Sequence, residues 1–336
     1  MTEHSKIPEP PKSLFERAEN FFGLGGDFTP APVPKKLKKP VNRRIEKSRP
    51  EAAPKTAQRP PMQAEPVFEP AEPALVADEV PEPIYEDVTF SGEIHEIDRE
   101  ALAAHGLIIP EGPVTALLEE FRIVKRQVLQ SVRDARAKGS TKRAQRVLVS
   151  SPLPNEGKSY CAANLAIALA AEKDSEVLLV DADFAKPSVL SMFGLPRGPG
   201  FMDVLARDDM NVEDCVLATD IDGLMILPAG NHTTSDSEFL SSERTAEVLD
   251  RLTRAAPKRI IIFDSPPALA ASPAAELADH VGQAIIVARA DRTGQTSLED
   301  ALTLLSACPD LKLMLNAAHF SPSGRRFGDY YGKEHF

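Results

Sequence analysis

The chain has 336 residues and a formal net charge of -11, from 39 Lys and Arg against 50 Asp and Glu. That balance argues against bulk attraction to nucleic acid or to an anionic lipid surface, and the length leaves room for one α/β domain plus a further region. Cys161, Cys215 and Cys308 stand far apart with no CxxC spacing, which argues against a zinc site or a disulfide frame and fits a reducing cytoplasm.

The opening Met1-Thr2-Glu3-His4 is polar, without signal-peptide character, and no apolar run reaches the roughly 18 residues that span a bilayer. Any membrane association is therefore expected to come through a partner. Residues 1 to about 113 hold 18 of the 30 prolines. With few aromatic or β-branched residues, such a stretch cannot bury enough apolar surface to offset the entropy of ordering, so it is expected to be disordered. Within it, Leu14, Phe15, Ala18, Phe21 and Phe22 share one helical face, which predicts a short docking helix or a transient one over 13–22. A basic run from Lys36 to Arg49 and an acid-rich stretch from Glu65 to Glu100 read as a solvated linker.

From Phe90 to Pro110 the pattern Ile97, Leu102, Leu107 predicts a short helix closed by Gly106 and Pro110, able to pack as an arm on the domain C-terminal to it. Leu117, Leu118, Phe121, Val124, Val128 and Val132 recur at spacings of three and four, predicting an amphipathic helix over 114–132 with Glu119, Glu120, Arg122, Lys125 and Arg126 on its other face. After a linker at 135–145, β and α segments alternate. Strands are predicted near 146–150, 177–181, 224–227, 259–264, 284–288 and 311–316, and helices near 159–171, 238–255, 274–280 and 297–307. Several strands are continuous apolar runs (VLLV, IIIF, AIIVA), as in a mostly parallel sheet covered by helices on both faces. Ligands of such sheets bind at the carboxyl ends of the strands.

Three motifs fall at those ends. RVLVSSPLPNEGKSY, residues 146–160, is a strand running through a Ser/Pro/Asn turn into Gly157-Lys158-Ser159 at a helix start. Backbone N–H groups and the helix dipole there favour an anion, Lys158 would reach the β and γ phosphates of ATP, and the Ser159 hydroxyl would hold Mg²⁺. The first Gly of GxxxxGK[ST] is replaced by Pro152, so the order of motifs rather than the loop alone makes the case. The next strand ends in Asp181-Ala182-Asp183, carboxylates that can bind Mg²⁺ through water or accept a proton from an attacking hydroxyl. A later one ends in Phe263-Asp264-Ser265-Pro266-Pro267, where Asp264 is expected to be a further magnesium-binding carboxylate.

Taken with Glu119, Arg122 and Lys125, which read as ExxRxx[RK], the segments SSPLPNEGKS, VLLVDADFAKPSV and RIIIFDSPP resemble the bacterial tyrosine autokinases of exopolysaccharide and capsule loci. The similarity runs from about Ile97 to the tail and is nearest to the branch associated with exosortase/PEP-CTERM polysaccharide loci. The resemblance implies a P-loop NTPase fold and protein-tyrosine kinase activity with ATP and Mg²⁺. It implies a nucleotide site of Ser151, Pro154, Asn155, Glu156, Gly157, Lys158, Ser159, Tyr160 and Asn316. Catalysis would fall to Lys158, Asp181 and Asp183, and the metal to Ser159, Asp181 and Asp264. Glu119, Arg122 and Lys125 would build a ring oligomer, with Tyr330 and Tyr331 as phosphoacceptors. The implied partners are a membrane polysaccharide co-polymerase of the chain-length-regulator kind as activator and a cognate tyrosine phosphatase, with no nucleic acid. The chain would be cytoplasmic, peripheral to the inner membrane.

On this reading 1–95 is a disordered region, 96–140 a helical arm with the oligomerisation helix, 141–320 the kinase domain and 321–336 a flexible tail. The sequence departs from the family in several places. Asn155 stands at a usual Gly, Tyr160 replaces a smaller residue and is expected to pack beside the nucleotide or the sheet, Ala185 replaces Arg with Lys186 next to it, and Lys125 replaces the last Arg of the ring motif. The tail offers two adjacent tyrosines where relatives often carry several. Two other readings share the fold. A partitioning-type ATPase would carry a signature Lys five residues before Lys158, where this chain has Leu153, and an adaptor would bind ATP without kinase activity.

Overall fold

In a computed structural model of the protein, the described residues are 90, 92–139, 143–173, 175–254 and 256–318. The expected helix at 13–22, the basic and acidic runs before Phe90, and Tyr330 and Tyr331 lie outside them. Eight strands form one sheet in the order β1 (Ile94–His95), β4 (Leu217–Thr219), β5 (Leu224–Leu227), β3 (Glu176–Asp181), β6 (Arg259–Asp264), β2 (Arg146–Ser150), β7 (Gln283–Arg289) and β8 (Leu311–Asn316). Every pairing is parallel except β4 with β5. The three central strands are buried along nearly their whole length, which is why their sequences run apolar instead of alternating.

One face of the sheet packs against α3 (Lys158–Ala170) together with α1 (Arg99–Ala104) and α2 (Ala116–Ala137). Helix α3 is buried almost all round, and its small alanines let both the sheet and α2 approach closely. Phe121, Val128 and Val132 of α2 join that core, each contributing roughly 1.5–3 kcal/mol by leaving water. The arm thus packs on the sheet as expected, and Leu102, Leu107 and Ile108 enter the same core. The opposite face is covered by α5 (Phe201–Ala206), α7 (Glu243–Thr253), α8 (Pro273–Ala278) and α9 (Gln295–Leu304).

All six expected strands are present, within one or two residues of their expected ends. Three features differ. The amphipathic helix runs on to Ala137 and stops before Gly139, whose φ of 84° ends it, so the expected linker starts later. The helix expected over 238–255 is broken into α6 (Asp236–Leu240) and α7, because the Ser241 and Ser242 hydroxyls bond back to the carbonyls of Glu238 and Phe239, offering the backbone an alternative to the helical ladder. The short strands β1 and β4 and the short helices α4 (Val189–Phe193) and α5 lack the apolar period that would announce them.

Candidate nucleotide site

Four loops meet at the carboxyl edge of the central strands. The β2–α3 turn is held by Asn155, at φ 64°, and Gly157, at φ 96°. A Cβ on Gly157 would lie 2.1 Å from the Asn316 side-chain nitrogen, so only glycine fits. Asn tolerates the left-handed region better than other non-glycine residues, which explains how the loop forms with Asn155 in place of Gly. Glu156, 1% exposed, knits the turn together. One of its oxygens accepts from the Leu153 N–H at 2.8 Å and the other from the Thr293 hydroxyl. Asn316 donates to the Glu156 carbonyl at 2.9 Å, and the Ser151 hydroxyl donates to the Leu153 carbonyl at 2.8 Å. Pro154 is exposed on the outer turn.

At the head of α3 the Lys158 ammonium sits 2.6 Å from Asp183 Oδ2, 3.2 Å from Ser159 Oγ and 3.8 Å from Asp264 Oδ1. Burial alone would lower the Lys158 pKa, but Asp264, Asp183 and Asp181 outweigh it and the net shift is upward. Asp181 and Asp264 are direct cross-strand partners at the ends of β3 and β6. Their environments differ. Asp181 accepts three backbone N–H bonds, from Asp183 at 3.2 Å, Ser188 at 2.9 Å and Val189 at 3.0 Å, and so fixes the turn that carries Asp183. Asp264 is fully buried, and among the described residues neither carboxylate oxygen has a hydrogen-bond partner. Burial pushes its pKa up to about 6 despite the pull of Lys158 and the Ser159 hydroxyl. For Asp181, burial and the Asp264 charge push it to about 7.

An anionic oxygen pair buried without donors, beside a hydroxyl and a lysine at a helix N-terminus, is a donor set suited to a hard divalent cation with oxygen ligands. Ser159 and Asp264 would hold it, with Asp181 acting through water because both its oxygens are already engaged. Tyr160 is placed against the arm: its ring comes within 3.8 Å of a Cβ built on Gly106 and joins the arm-side core. Asn164, fully buried one turn on, ties the same contact by accepting from the Ile108 N–H at 2.8 Å and donating to the Tyr160 carbonyl at 3.0 Å. The motif helix lies away from this edge. There Arg122 pairs with Glu119, and Lys125 pairs with Glu172 at 2.6 Å. Thr293 and Arg289 join the site without having been expected from the sequence. The only signal for them is their place at and just past the end of an apolar strand.

No protein-family model matches the chain. The tyrosine-protein kinase YwqD of Bacillus subtilis is 31% identical over 192 residues, 56% of this chain and 79% of that protein. The chain belongs to the bacterial tyrosine-protein kinase family. The tyrosine-protein kinase ptk of Acinetobacter johnsonii is 29% identical over 160 residues, 48% of this chain, but the match spans only 21% of that longer protein. Among solved structures, the chimerical protein CapA2B2 superposes with a TM-score of 0.52 at 25% identity, covering 66% of this chain and 92% of that one. Against this kinase family the P-loop, mostly parallel sheet is the expected architecture.

Proposed function

We propose that the protein is an ATP-dependent protein-tyrosine autokinase that regulates polymerisation and export of an exopolysaccharide or capsule. The observation that carries the reading is the buried cluster of Lys158, Asp183 and Asp264, in which a lysine at a phosphate loop faces a carboxylate with no hydrogen-bond donor among the described residues. Mg-ATP, when bound, supplies the phosphoryl group and an ion that offsets developing charge. Phosphoryl transfer asks the protein mainly for positioning and charge stabilisation. Lys158 and the loop N–H groups neutralise the phosphates, Ser159 and Asp264 hold the metal, and Asp181 fixes the turn that aims Asp183. Of the two acids in DxD, Asp183 is then the one to take the tyrosyl proton, since Asp181 is committed to backbone donors.

Tyr330 and Tyr331 are the acceptors in this reading, offered to a neighbouring subunit in a ring built through Glu119, Arg122 and Lys125. A membrane co-polymerase activates the kinase, a tyrosine phosphatase resets it, and the chain works at the cytoplasmic side of the inner membrane. Among the described residues no helix is long and apolar enough to cross a membrane. The test is to incubate purified protein with Mg-ATP and locate phosphotyrosine by mass spectrometry. Phosphate on Tyr330 or Tyr331 is the expected result, and its absence from a preparation that binds nucleotide would leave the adaptor reading in its place.

A further inference from the structure

The acids and the rest of the loop's neighbours divide cleanly about β2. On one side, β6 and β3 bring Asp264, Asp181 and Asp183 to Lys158. On the other, β7 and β8 end in Arg289 and Asn316, which are register partners. With the terminal phosphate and metal at the acid side, the side of the loop left free of acids, toward β7 and β8, is where the nucleoside would extend. There Arg289 is exposed, and its guanidinium donates to the carbonyl of Asn155, a residue of the phosphate loop itself, at 3.3 Å. This is its only side-chain hydrogen bond among the described residues, and it has no carboxylate partner among them. Its backbone is fixed: the Arg289 N–H donates to Thr293 Oγ1 at 2.8 Å, and that hydroxyl in turn donates to the buried Glu156. A cation is thus held against an anion-binding loop with most of its five donors unused.

We propose that Arg289 is a nucleotide-binding residue that takes the α-phosphate and the ribose side of a bound nucleoside polyphosphate. The proposal rests on the nucleotide reading above. A planar guanidinium suits this place because it can keep one N–H on the loop carbonyl while others reach a phosphate oxygen, a fork that an ammonium lacks. Thr293 and Glu156 act through Arg289's backbone and the loop. They position the site without touching the ligand.

The experiment compares two ligands by titration calorimetry on the full-length protein: Mg-ADP, which carries an α-phosphate and ribose, and Mg-pyrophosphate, which carries neither. Arg289→Ala is expected to weaken Mg-ADP by about tenfold or more, the loss of one charge-assisted hydrogen bond, with Mg-pyrophosphate unchanged. Arg289→Lys should recover only part of the ADP affinity. Thr293→Val, which loosens the loop from β7, should weaken both ligands together and so shows what a merely structural role looks like. Equal loss of both ligands in Arg289→Ala, or loss of neither, overturns the proposal. Failure of Lys158→Met to weaken either ligand would instead sink the phosphate-loop reading, and Arg289 with it.

Discussion

Two clusters of charge in this protein are treated in opposite ways. In α2, Arg122 is paired with Glu119 and Lys125 with Glu172, and Arg122 and Glu172 remain open to solvent. At the carboxyl edge of β3 and β6, Asp264 is sealed from solvent with neither oxygen hydrogen-bonded among the described residues, and Lys158 is shared among acids, 3.8 Å from Asp264 Oδ1. Exposed pairs of the first kind contribute about 0–1 kcal/mol to folding. A buried carboxylate of the second kind, without a hydrogen-bond donor, carries a desolvation cost that a proton or a bound cation would relieve. The two clusters should therefore respond to different insults: on the proposed function, cutting the first should change which surfaces meet, and cutting the second what the folded chain can bind.

Breaking the second cluster should have the largest effect. Lys158→Met is expected to lower phosphotyrosine formation at least about a hundredfold, as when a single charge-stabilising donor is removed from an active site, while circular dichroism still reports a folded core. Next comes the tail. Tyr330→Phe with Tyr331→Phe should remove most phosphotyrosine and leave Mg-ADP affinity unchanged, read by mass spectrometry and calorimetry. A mixture of that variant with Lys158→Met should restore phosphate on the latter if the acceptors work in trans.

A smaller effect sharpens the contrast. Asp264 has a folded pKa raised to about 6 above an unfolded value near 3.9. The unfolded state therefore releases its proton first, and the metal-free protein should lose stability as pH rises from about 4 to about 6. Asp264→Asn removes that loss. Without metal, its melting temperature at pH 8 should exceed the wild type by a few degrees, and the gap should close toward pH 4. A gap that stayed the same at both pH values would show that the Asp264 charge is satisfied in a way the buried geometry does not reveal. Least affected should be folding when the first cluster is cut. Glu119→Ala with Arg122→Ala should change stability by no more than about 0.5 kcal/mol yet lower the oligomer mass seen by light scattering at matched concentration.

The same contrast explains what the sequence disclosed. Strands β2, β3, β6 and β7 announce themselves because burial on both faces demands unbroken apolar runs; Asp181, Asp183 and Asp264 are legible because each stands at or just past the end of such a run, and Lys158 because it follows Gly157 at the head of a helix after one. Which acid does what was not legible: Asp181 and Asp183 look alike in DxD, and only the turn after β3 commits Asp181 to three backbone donors. Tyr160 was expected beside the nucleotide or the sheet; its ring also meets the arm at Gly106, a contact that one position in a helix sequence does not announce. The break at Ser241 and Ser242 was hidden for a related reason. Serine hydroxyls can serve a helix or interrupt it, and here they bond back to the Glu238 and Phe239 carbonyls. Arg289 gave only the weak signal of its place at a strand end, which is ordinary for an arginine until Asn155 is seen beside it.

Asn316 closes the back of the phosphate loop from the last described strand, 160 positions away from the Glu156 carbonyl to which it donates. During synthesis the loop, its lysine and all three acids leave the ribosome before that strand exists. A nascent chain therefore carries every charged group of the site for some time without the piece that holds Gly157 in place. Closure of the turn around Glu156 and Gly157 therefore waits for the last described strand, and a chain cut short before Asn316 should show a looser β2–α3 turn by hydrogen exchange.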